Sequence, residues 1–429
     1  MKKLTALVGA VALLLSPVVL ADTSADEISA LRQQIELLTK RLDDLEQRSQ
    51  QEQAAVQPAT ETTQVAQEKA LDKKVDMAVT EQVDDRMASL SWAERIRWSG
   101  DFRYRYENID QEDKDGRNRS RIRARTHVEA DVAPTVKVGI GLATGGDDPV
   151  SSNQTIGGGG SSKDIKIDLA YFDWSGLKNT NITGGKFKNF LIRPAKKGLL
   201  WDGDWRPEGL GGIWKNDTFF VQGLGTWLEG DSKNGTQFSW VVQTGLNFNV
   251  GETGKLMFGG GYSEFDIAGR TPLFGSASDF YGNSFVIDPN TGLREFKYDY
   301  HQWEVFAEYK FKLGGNSMSL FADYTNNTEA DDNDTGYLFG AKYGSAKKKG
   351  TWDITYFYEK LEADATVGLL TDSDFGGGGT DAKGHVFSGT YAFHNNWNFK
   401  ATYFINKVNL AADDPQDYNR LMLDLNFKF

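Results

Sequence analysis

The chain has 429 residues, a formal net charge of −12, no cysteine, four histidines and a 12% share of aromatic residues. Without cysteine there can be no disulfide scaffold, thiol nucleophile or cysteine-ligated zinc site, and the acidic balance argues against a nucleic-acid partner. The histidines show none of the spacings of a metal site, so no metal and no other cofactor is expected.

Residues 1–21 predict export. Lys2 and Lys3 precede a short apolar run that ends at Leu20-Ala21, which is the pattern of a cleaved signal peptide. After residue 21 no stretch approaches the ~20 apolar residues of a membrane-spanning helix. The sequence therefore predicts an exported protein with no helical membrane span.

Residues 22–52 predict a short coiled-coil helix. Apolar residues recur there in steps of three and four, at Ile28, Leu31, Ile35, Leu38, Leu42 and Leu45. Such a seam favours self-association, although an amphipathic helix that packs on its own domain would show the same pattern. Residues 53–91 form a linker with a second helical stretch, and near Trp92 the apolar period changes from helical to two.

Residues 92–429 predict a series of β-strands. Apolar and polar residues alternate in segments of roughly ten residues, the length of a tilted membrane-spanning strand. Clear examples are 98–106, 122–132, 238–248, 303–311, 397–405 and 421–429. Short and long connections alternate between these segments, which favours an outer-membrane barrel over a soluble sandwich.

The number of strands follows from their alternating direction, because such a barrel has an even number of strands. Fifteen segments are visible, and if both termini are periplasmic, two strands must lie between residues 191 and 235. Residues 208–214 and 218–228 supply them. The predicted fold is all-β, a 16-stranded antiparallel transmembrane β-barrel at 92–429 preceded by the periplasmic coiled coil. Fourteen or eighteen strands remain open, and a barrel of this size leaves a water-filled lumen.

Together these features resemble Gram-negative outer-membrane porins, in particular the putative porin family with an N-terminal coiled coil. The resemblance rests on the signal peptide, the heptad helix, the first strand at 98–106, the arginine-rich second strand and the closing segment 421–429. A long third loop ending in Trp205-Arg206-Pro207-Glu208-Gly209 completes it. Phosphate-selective and general diffusion porins are related to this chain in overall plan.

The resemblance implies a homotrimer in the bacterial outer membrane, in contact with lipid and lipopolysaccharide. It implies that Phe429 is part of the signal read by the barrel-assembly machinery. It also implies that the third long loop folds into the barrel as a constriction, whose candidate residues are Arg193, Asp202, Asp204, Arg206 and Glu208. The tip departs from the Pro-Glu-Phe-Gly-Gly of general diffusion porins, so the sequence leaves the path of this loop open.

Arginines on the first two strands are the strongest functional signal. The residues are Arg103, Arg105, Arg119, Arg121, Arg123 and Arg125. They are all odd-numbered, so in an antiparallel pair they share one face, and we expect that face to line the lumen. A pairing of Arg105 with Arg119 and of Arg103 with Arg121 is expected. Two roles stay open, selection of anions or bracing of the third loop.

Other loop features carry weaker signals. Acidic clusters at 110–115 and 329–334 lack the fixed pattern of a calcium loop, so no metal site is assigned. Binding of divalent ions by these outer loops, beside lipopolysaccharide, stays open. Glycine runs at 157–160 and 376–379 are interpreted as mobile loop tips.

The predicted function is a porin channel for passive diffusion of small hydrophilic solutes, with an arginine-lined lumen that gives a modest anion preference. An enzyme is not expected, because there is no Gly-x-Ser-x-Gly motif and no histidine paired with a serine or an acid. The alternative is a structural or adhesive tether that uses the periplasmic coiled coil.

Overall fold

The computed structural model describes residues 36–45, 47–48, 93–230 and 235–429. The chain divides into two units, residues 1–89 and 90–429. In the first unit the described residues are helical, and Leu38, Leu42 and Leu45 of the predicted seam are exposed. The predicted signal peptide, the second helical stretch and most of the coiled coil lie outside the described residues. No described helix has both the length and the apolar character needed to cross a membrane.

Within the described residues the second unit contains sixteen long antiparallel strands. They are β1 (Ile96–Gln111), β2 (Arg117–Ala133), β3 (Val136–Thr144), β4 (Ile165–Trp174), β5 (Thr180–Lys186), β6 (Glu208–Lys215), β7 (Phe219–Glu229), β8 (Gln237–Val250), β9 (Gly254–Phe265), β10 (Tyr300–Leu313), β11 (Asn316–Asn327), β12 (Thr335–Gly344), β13 (Trp352–Leu361), β14 (Ala382–His394), β15 (Trp397–Val408) and β16 (Gln416–Lys428). The two strands inferred between residues 191 and 235 are β6 and β7. The prediction of sixteen strands is therefore confirmed.

Alternation of side chains explains why these segments form a barrel wall. In β1 the even-numbered Trp98 and Tyr104 are exposed, whereas the odd-numbered Arg105 and Glu107 are buried. The same alternation repeats along the other strands, so one face of the sheet is apolar and the other is polar. An apolar outer face is what a barrel in a bilayer requires.

The barrel closes between its first and last strands. β1 pairs with β16 from Asp101 opposite Lys428 to Gln111 opposite Tyr418. The chain end extends this pairing, because Phe429 exchanges two backbone hydrogen bonds with Gly100. Closure pairs both edges of the sixteen-stranded wall within the described residues, which a protein surrounded by lipid needs.

Connections at the two ends of the barrel differ in length. Those at the end where β1 begins and β16 ends are mostly tight turns, such as 134–135 and 395–396. At the opposite end we number the longer loops in chain order, and the four largest are loop 2 (145–164), loop 3 (187–207), loop 5 (266–299) and loop 7 (362–381). The predicted asymmetry is present.

Loop 3 crosses the barrel interior. Its Trp201 and Trp205 stack with ring centroids 5.3 Å apart in an apolar cluster that includes Leu224 of β7. Its Leu199 is packed in a second cluster with Leu338 of β12. Because β7 and β12 are separated by four strands in the wall, the loop spans the space that they enclose. Side chains of loops 5 and 7 fill the first cluster as well.

Candidate functional site

The arginine-bearing faces of β1 and β2 form a continuous wall. The observed pairs are Asp101 with Arg125, Arg103 with Arg123, Arg105 with Arg121, and Glu107 with Arg119. The expected register was therefore wrong by two residues. The strands continue further than expected, with Ile109 opposite Arg117, so the hairpin loop is shorter. Because the shift is even, all of these side chains still share one face.

Loop 3 contacts this wall through Asp204. Arg123 Nη1 donates to Asp204 Oδ2 at 3.2 Å, and Arg125 Nη1 donates to Asp204 Oδ1 at 2.8 Å. Asp101 of β1 accepts from the same two guanidinium groups at 3.0 and 2.8 Å. Two arginines and two aspartates thus form a compact, charge-balanced cluster.

Loop 7 contacts the wall through Asp374. Arg105 Nη1 donates to Asp374 Oδ2 at 3.0 Å, and Arg420 Nη2 donates to Asp374 Oδ1 at 2.9 Å. The glycines at 376–379 belong to this inward fold, since a Cβ on Gly377 would lie 3.3 Å from the Tyr418 ring. The interpretation of this run as a mobile tip was wrong, because the run packs against the barrel wall.

Two acids of the wall itself complete the pairing. Arg119 Nε donates to Glu107 at 2.5 Å, and Arg420 Nη2 donates to Glu107 at 3.0 Å. Arg105 Nε donates to Asp424 of β16 at 2.6 Å. Since hydrogen bonds between ionised partners are the strong ones, these contacts hold the long side chains in defined positions.

Arg103 and Arg121 are paired less closely than the other four arginines. Their shortest distances to a carboxylate within the described residues are 3.9 Å to Asp424 and 3.6 Å to Glu107, respectively. Both also contact Asn153 of loop 2. Beside this part of the wall, a cavity of about 510 Å³ is lined by residues of β1, β2, loop 7 and β16, among them Arg119 and Arg420.

Loops 3 and 7 present the same Asp-x-Asp arrangement. In loop 3 the backbone N–H of Asp204 donates to Asp202 at 2.6 Å, and in loop 7 that of Asp374 donates to Asp372 at 2.8 Å. The loops are joined at this point, because the backbone N–H of Ser373 donates to Asp202 at 3.0 Å. In each loop, therefore, the first aspartate orders the backbone and the second contacts arginine.

The two aspartates of each loop differ in acidity. Burial raises the pKa of Asp204, but Arg123 and Arg125 outweigh that effect and hold it at about 2. Against the same effect of burial, Arg105 and Arg420 hold the pKa of Asp374 well below its usual range. Asp202 and Asp372 behave in the opposite way: burial and neighbouring carboxylates raise the pKa of both. Each loop thus carries one strongly acidic and one weakly acidic aspartate.

Loop 3 also carries Lys197, which extends to the far wall and lies over the Phe357 ring at 5.2 Å from its centroid. Burial, with a smaller contribution from Lys400, lowers the pKa of Lys197 to about 7. This amine therefore changes its charge in the neutral pH range.

The remaining predicted loop residues have different surroundings. Arg206 pairs with Asp168 of β4 at 3.2 Å, and Arg193 donates to the Trp201 carbonyl within loop 3 at 3.5 Å. Glu208 is not in the loop: it is the first residue of β6, where it pairs with Lys186 at 2.5 Å. The strand begins one residue after Pro207, which places Glu208 in the ladder.

Sequence reasoning missed Asp374, Arg420 and Asp424. Arg420 and Asp424 could have been found, because even-numbered residues of β16 alternate with apolar odd-numbered ones and therefore face the lumen. Closure of the barrel then brings them beside β1. Asp374 had no such signal, since it lies in a loop without periodicity.

Two matches to one family model cover residues 109–272 and 269–429, and the description of that family is putative porin. The chain belongs to the putative porin family. The predicted resemblance is thereby confirmed, and this family with its barrel fold places the porin in the outer membrane as a channel-forming protein. No curated protein sequence matches the chain.

Solved porin structures share the fold at low sequence identity. OprB of Pseudomonas putida, in its high-pH structure, is 14% identical with a TM-score of 0.54, over 80% of this chain and 96% of that one. OmpF of Salmonella typhi in complex with daunomycin is 13% identical with a TM-score of 0.47, over 78% and 97%. At such identities the likeness to OprB concerns the fold alone. The family and the fold are those of a channel rather than of an enzyme.

Proposed function

We propose that this porin is a channel for passive diffusion of small hydrophilic solutes with a modest preference for anions. In this proposal the narrow part of the channel is bounded by the β1–β2 wall and by the inner parts of loops 3 and 7. Arg103, Arg105, Arg119, Arg121, Arg123 and Arg125 line it as selectivity residues. Arg193, Asp202, Asp204 and Arg206 belong to the constriction, whereas Glu208 is left outside it by its position in β6.

The observation that carries the proposal is the charge pattern on one wall. Arginine stays ionised at all working pH values, so these positive charges are permanent. Their field extends ~8–10 Å at physiological salt, which covers much of a constricted passage. The preference is modest because Asp101, Asp204 and Asp374 offset four arginine side chains at distances of 3.2 Å or less.

Planar-bilayer recording tests this function. The purified porin should produce discrete conductance steps, and under a KCl gradient the zero-current potential should shift modestly toward the chloride equilibrium potential. A protein that inserts without conductance would favour the tether, and a shift toward potassium would contradict the anion preference.

We further propose that copies of the chain associate as a homotrimer, assisted by the N-terminal coiled coil. In the described helix Leu38, Leu42 and Leu45 are 57–63% exposed, so the seam offers an apolar stripe to other copies. Deletion of residues 22–90 should leave a folded, conducting barrel that dissociates into subunits at lower temperature. An unchanged oligomer after dilution and heating would make the coiled coil dispensable.

The other partners of the proposal act on the outside of the barrel. Phe429 is 60% exposed and lies edge-on to Trp98, so the assembly machinery could reach it. Phe429→Ala should slow accumulation of the folded form in cells, measured as the heat-modifiable fraction on gels. Outer-membrane lipid and lipopolysaccharide are the proposed surroundings of the apolar face and of the long-loop end.

A further inference from the structure

Arg103 and Arg121 lie next to each other on the wall, and their positive charges are not closely balanced. Arg103 faces Arg123 and Arg121 faces Arg105, so the two are diagonal neighbours on one face. The carboxylates nearest to them, Asp424 and Glu107, are already engaged by other arginines at 2.6 and 2.5 Å. Within the described residues, both carboxylates that lie within 4.0 Å of the pair are therefore shared with a more closely bound arginine.

The two guanidinium groups also keep hydrogen-bond donors without acceptors. The Nε atoms of both Arg103 and Arg121 are buried, and neither has a hydrogen-bond partner within the part of the chain that the structure describes. Leaving a buried charged donor unpaired is costly, so native proteins satisfy such groups with protein, water or an ion. The two side chains nevertheless remain reachable, being 12% and 15% exposed.

Asn153 of loop 2 fixes the geometry between them. Arg103 Nη2 donates to its side-chain oxygen at 2.5 Å, and Arg121 Nη2 donates to its backbone oxygen at 3.4 Å. The backbone here is ordered by the short strand Gln154–Thr155, which pairs with β2 beside Arg121. One side of each guanidinium is therefore anchored to the protein.

We propose that Arg103 and Arg121 form a binding site for a small oxyanion, that is, the carboxylate or phosphate group of a permeating solute. An oxyanion offers two or more acceptor oxygens, one for each guanidinium, and arginine is suited to such planar recognition. The site rests on the proposed channel function. It adds to that function the class of anion that binds transiently inside the channel.

We place the route to the site along the same face of the wall. Arg119 and Arg420 line the cavity of about 510 Å³ at the loop end of the barrel. Arg121 is the next residue of β2 on that face, two positions further along the strand. In the proposal, an anion in this cavity passes from Arg119 to Arg121 along that face.

Inorganic phosphate is the probe for this site. In planar bilayers at constant KCl, phosphate should reduce the chloride current of the wild-type porin in a saturable manner. In the double variant Arg103→Gln with Arg121→Gln, the phosphate concentration for half-block should rise about tenfold or more, the loss expected for two charged hydrogen bonds. Acetate in a parallel series shows whether the carboxylate or the phosphate group is preferred.

Arg97→Gln is the matched control. Arg97 shares the odd-numbered face of β1 but pairs with Glu129 and Asp131 at 2.8 and 2.7 Å, away from the site. It should keep the wild-type half-block concentration, and gel mobility before and after boiling verifies that each variant is folded.

Calorimetric titration of the folded, detergent-solubilised porin with phosphate measures binding without conduction. Heat that saturates in the wild type and is lost in the double variant supports the site, even if the bilayer shows no channel. A chloride-selective channel with equal half-block and equal heat in both proteins overturns the oxyanion site alone and leaves the channel standing.

Discussion

Loops 3 and 7 share an Asp-x-Asp arrangement that contacts arginines of the barrel wall, but they are bound to different strands. Each folds into the barrel and offers the second aspartate of an Asp-x-Asp segment to wall arginines. Asp204 of loop 3 contacts Arg123 and Arg125, two residues of a single strand. Asp374 of loop 7 contacts Arg105 of β1 and Arg420 of β16, the strands that close the barrel.

This difference indicates that Asp204 braces loop 3, whereas Asp374 stabilises the closure of the barrel between β1 and β16. The side chains that Asp374 contacts are 2–4% exposed, whereas those that Asp204 contacts are 13–22% exposed. A carboxylate between deeply buried charges on two different strands contributes to the stability of the seam. A carboxylate on a more exposed pair within one strand mainly positions its own loop. The arginine wall therefore has a structural part at the seam and a more accessible part beside loop 3.

The largest expected effect is on stability, and it distinguishes the two aspartates. Asp374→Asn should lower the free energy of unfolding by about 3 kcal/mol, because it removes one partner from a buried charge cluster. Asp204→Asn should cost about 1.5 kcal/mol, because the arginines that it contacts are more exposed than those of Asp374. In both variants the arginines keep a second carboxylate, which is Asp101 for loop 3 and Asp424 or Glu107 for loop 7. The temperature at which the unboiled gel band converts to the unfolded mobility measures both. Equal losses of unfolding free energy in the two variants would contradict the distinction between Asp374, which stabilises the barrel closure, and Asp204, which positions loop 3.

A glycine in each loop gives the second comparison. A Cβ on Gly368 of loop 7 would lie 2.1 Å from the Tyr281 carbonyl oxygen, so Gly368→Ala must separate the backbones of loops 7 and 5. A Cβ on Gly203 of loop 3 would lie 2.8 Å from Nη1 of Arg193, the end of a flexible side chain. We expect a cost of about 2 kcal/mol for Gly368→Ala and less than about 0.5 kcal/mol for Gly203→Ala. Conversion temperatures check this, and a larger cost at Gly203 would contradict it.

The smallest expected effect is a pH dependence of selectivity. As the pH falls from 8 to 5, Lys197 of loop 3 gains a proton near its pKa of about 7. The pKa of Asp372 in loop 7 is raised by burial, so this acid loses its charge above the usual aspartate range. Asp204 stays ionised, because its pKa is about 2. The passage becomes more positive, so anion preference should increase modestly.

Zero-current potentials at several pH values separate the loops. Lys197→Gln should flatten the change around neutral pH, and Asp372→Asn should flatten the acidic part. A wild-type potential that moves toward potassium as the pH falls would show that other groups control the passage.

Much of the fold could be predicted because period-two alternation is a local signal. Even β6 and β7, whose glycines hide the alternation, followed from the parity of the strands. The register of β1 against β2 could not be predicted, because arginines occupy both arms and several even shifts leave the same face inward. The pairing of Glu107 with Arg119 depends on the length of the turn.

The site was less predictable, because its contacts join distant positions. Arg105 and Asp424 are 319 positions apart and meet only when the barrel closes. Asp374 reaches the wall by a loop path that depends on Asn283 of loop 5, which bonds the loop 7 backbone at 2.7–2.8 Å. No spacing within the sequence encodes such a path. The family resemblance suggested the inward fold of loop 3 but gave nothing for loop 7.

The zero-current potential under a KCl gradient tests the central claim most directly. The double variant Arg121→Glu with Arg123→Glu should abolish or reverse the chloride preference of the wild type. Asp204→Asn, which releases loop 3 while keeping every arginine, should increase that preference. If the double variant and the wild type give the same potential within error, the arginine wall does not select ions and serves only to brace the loops.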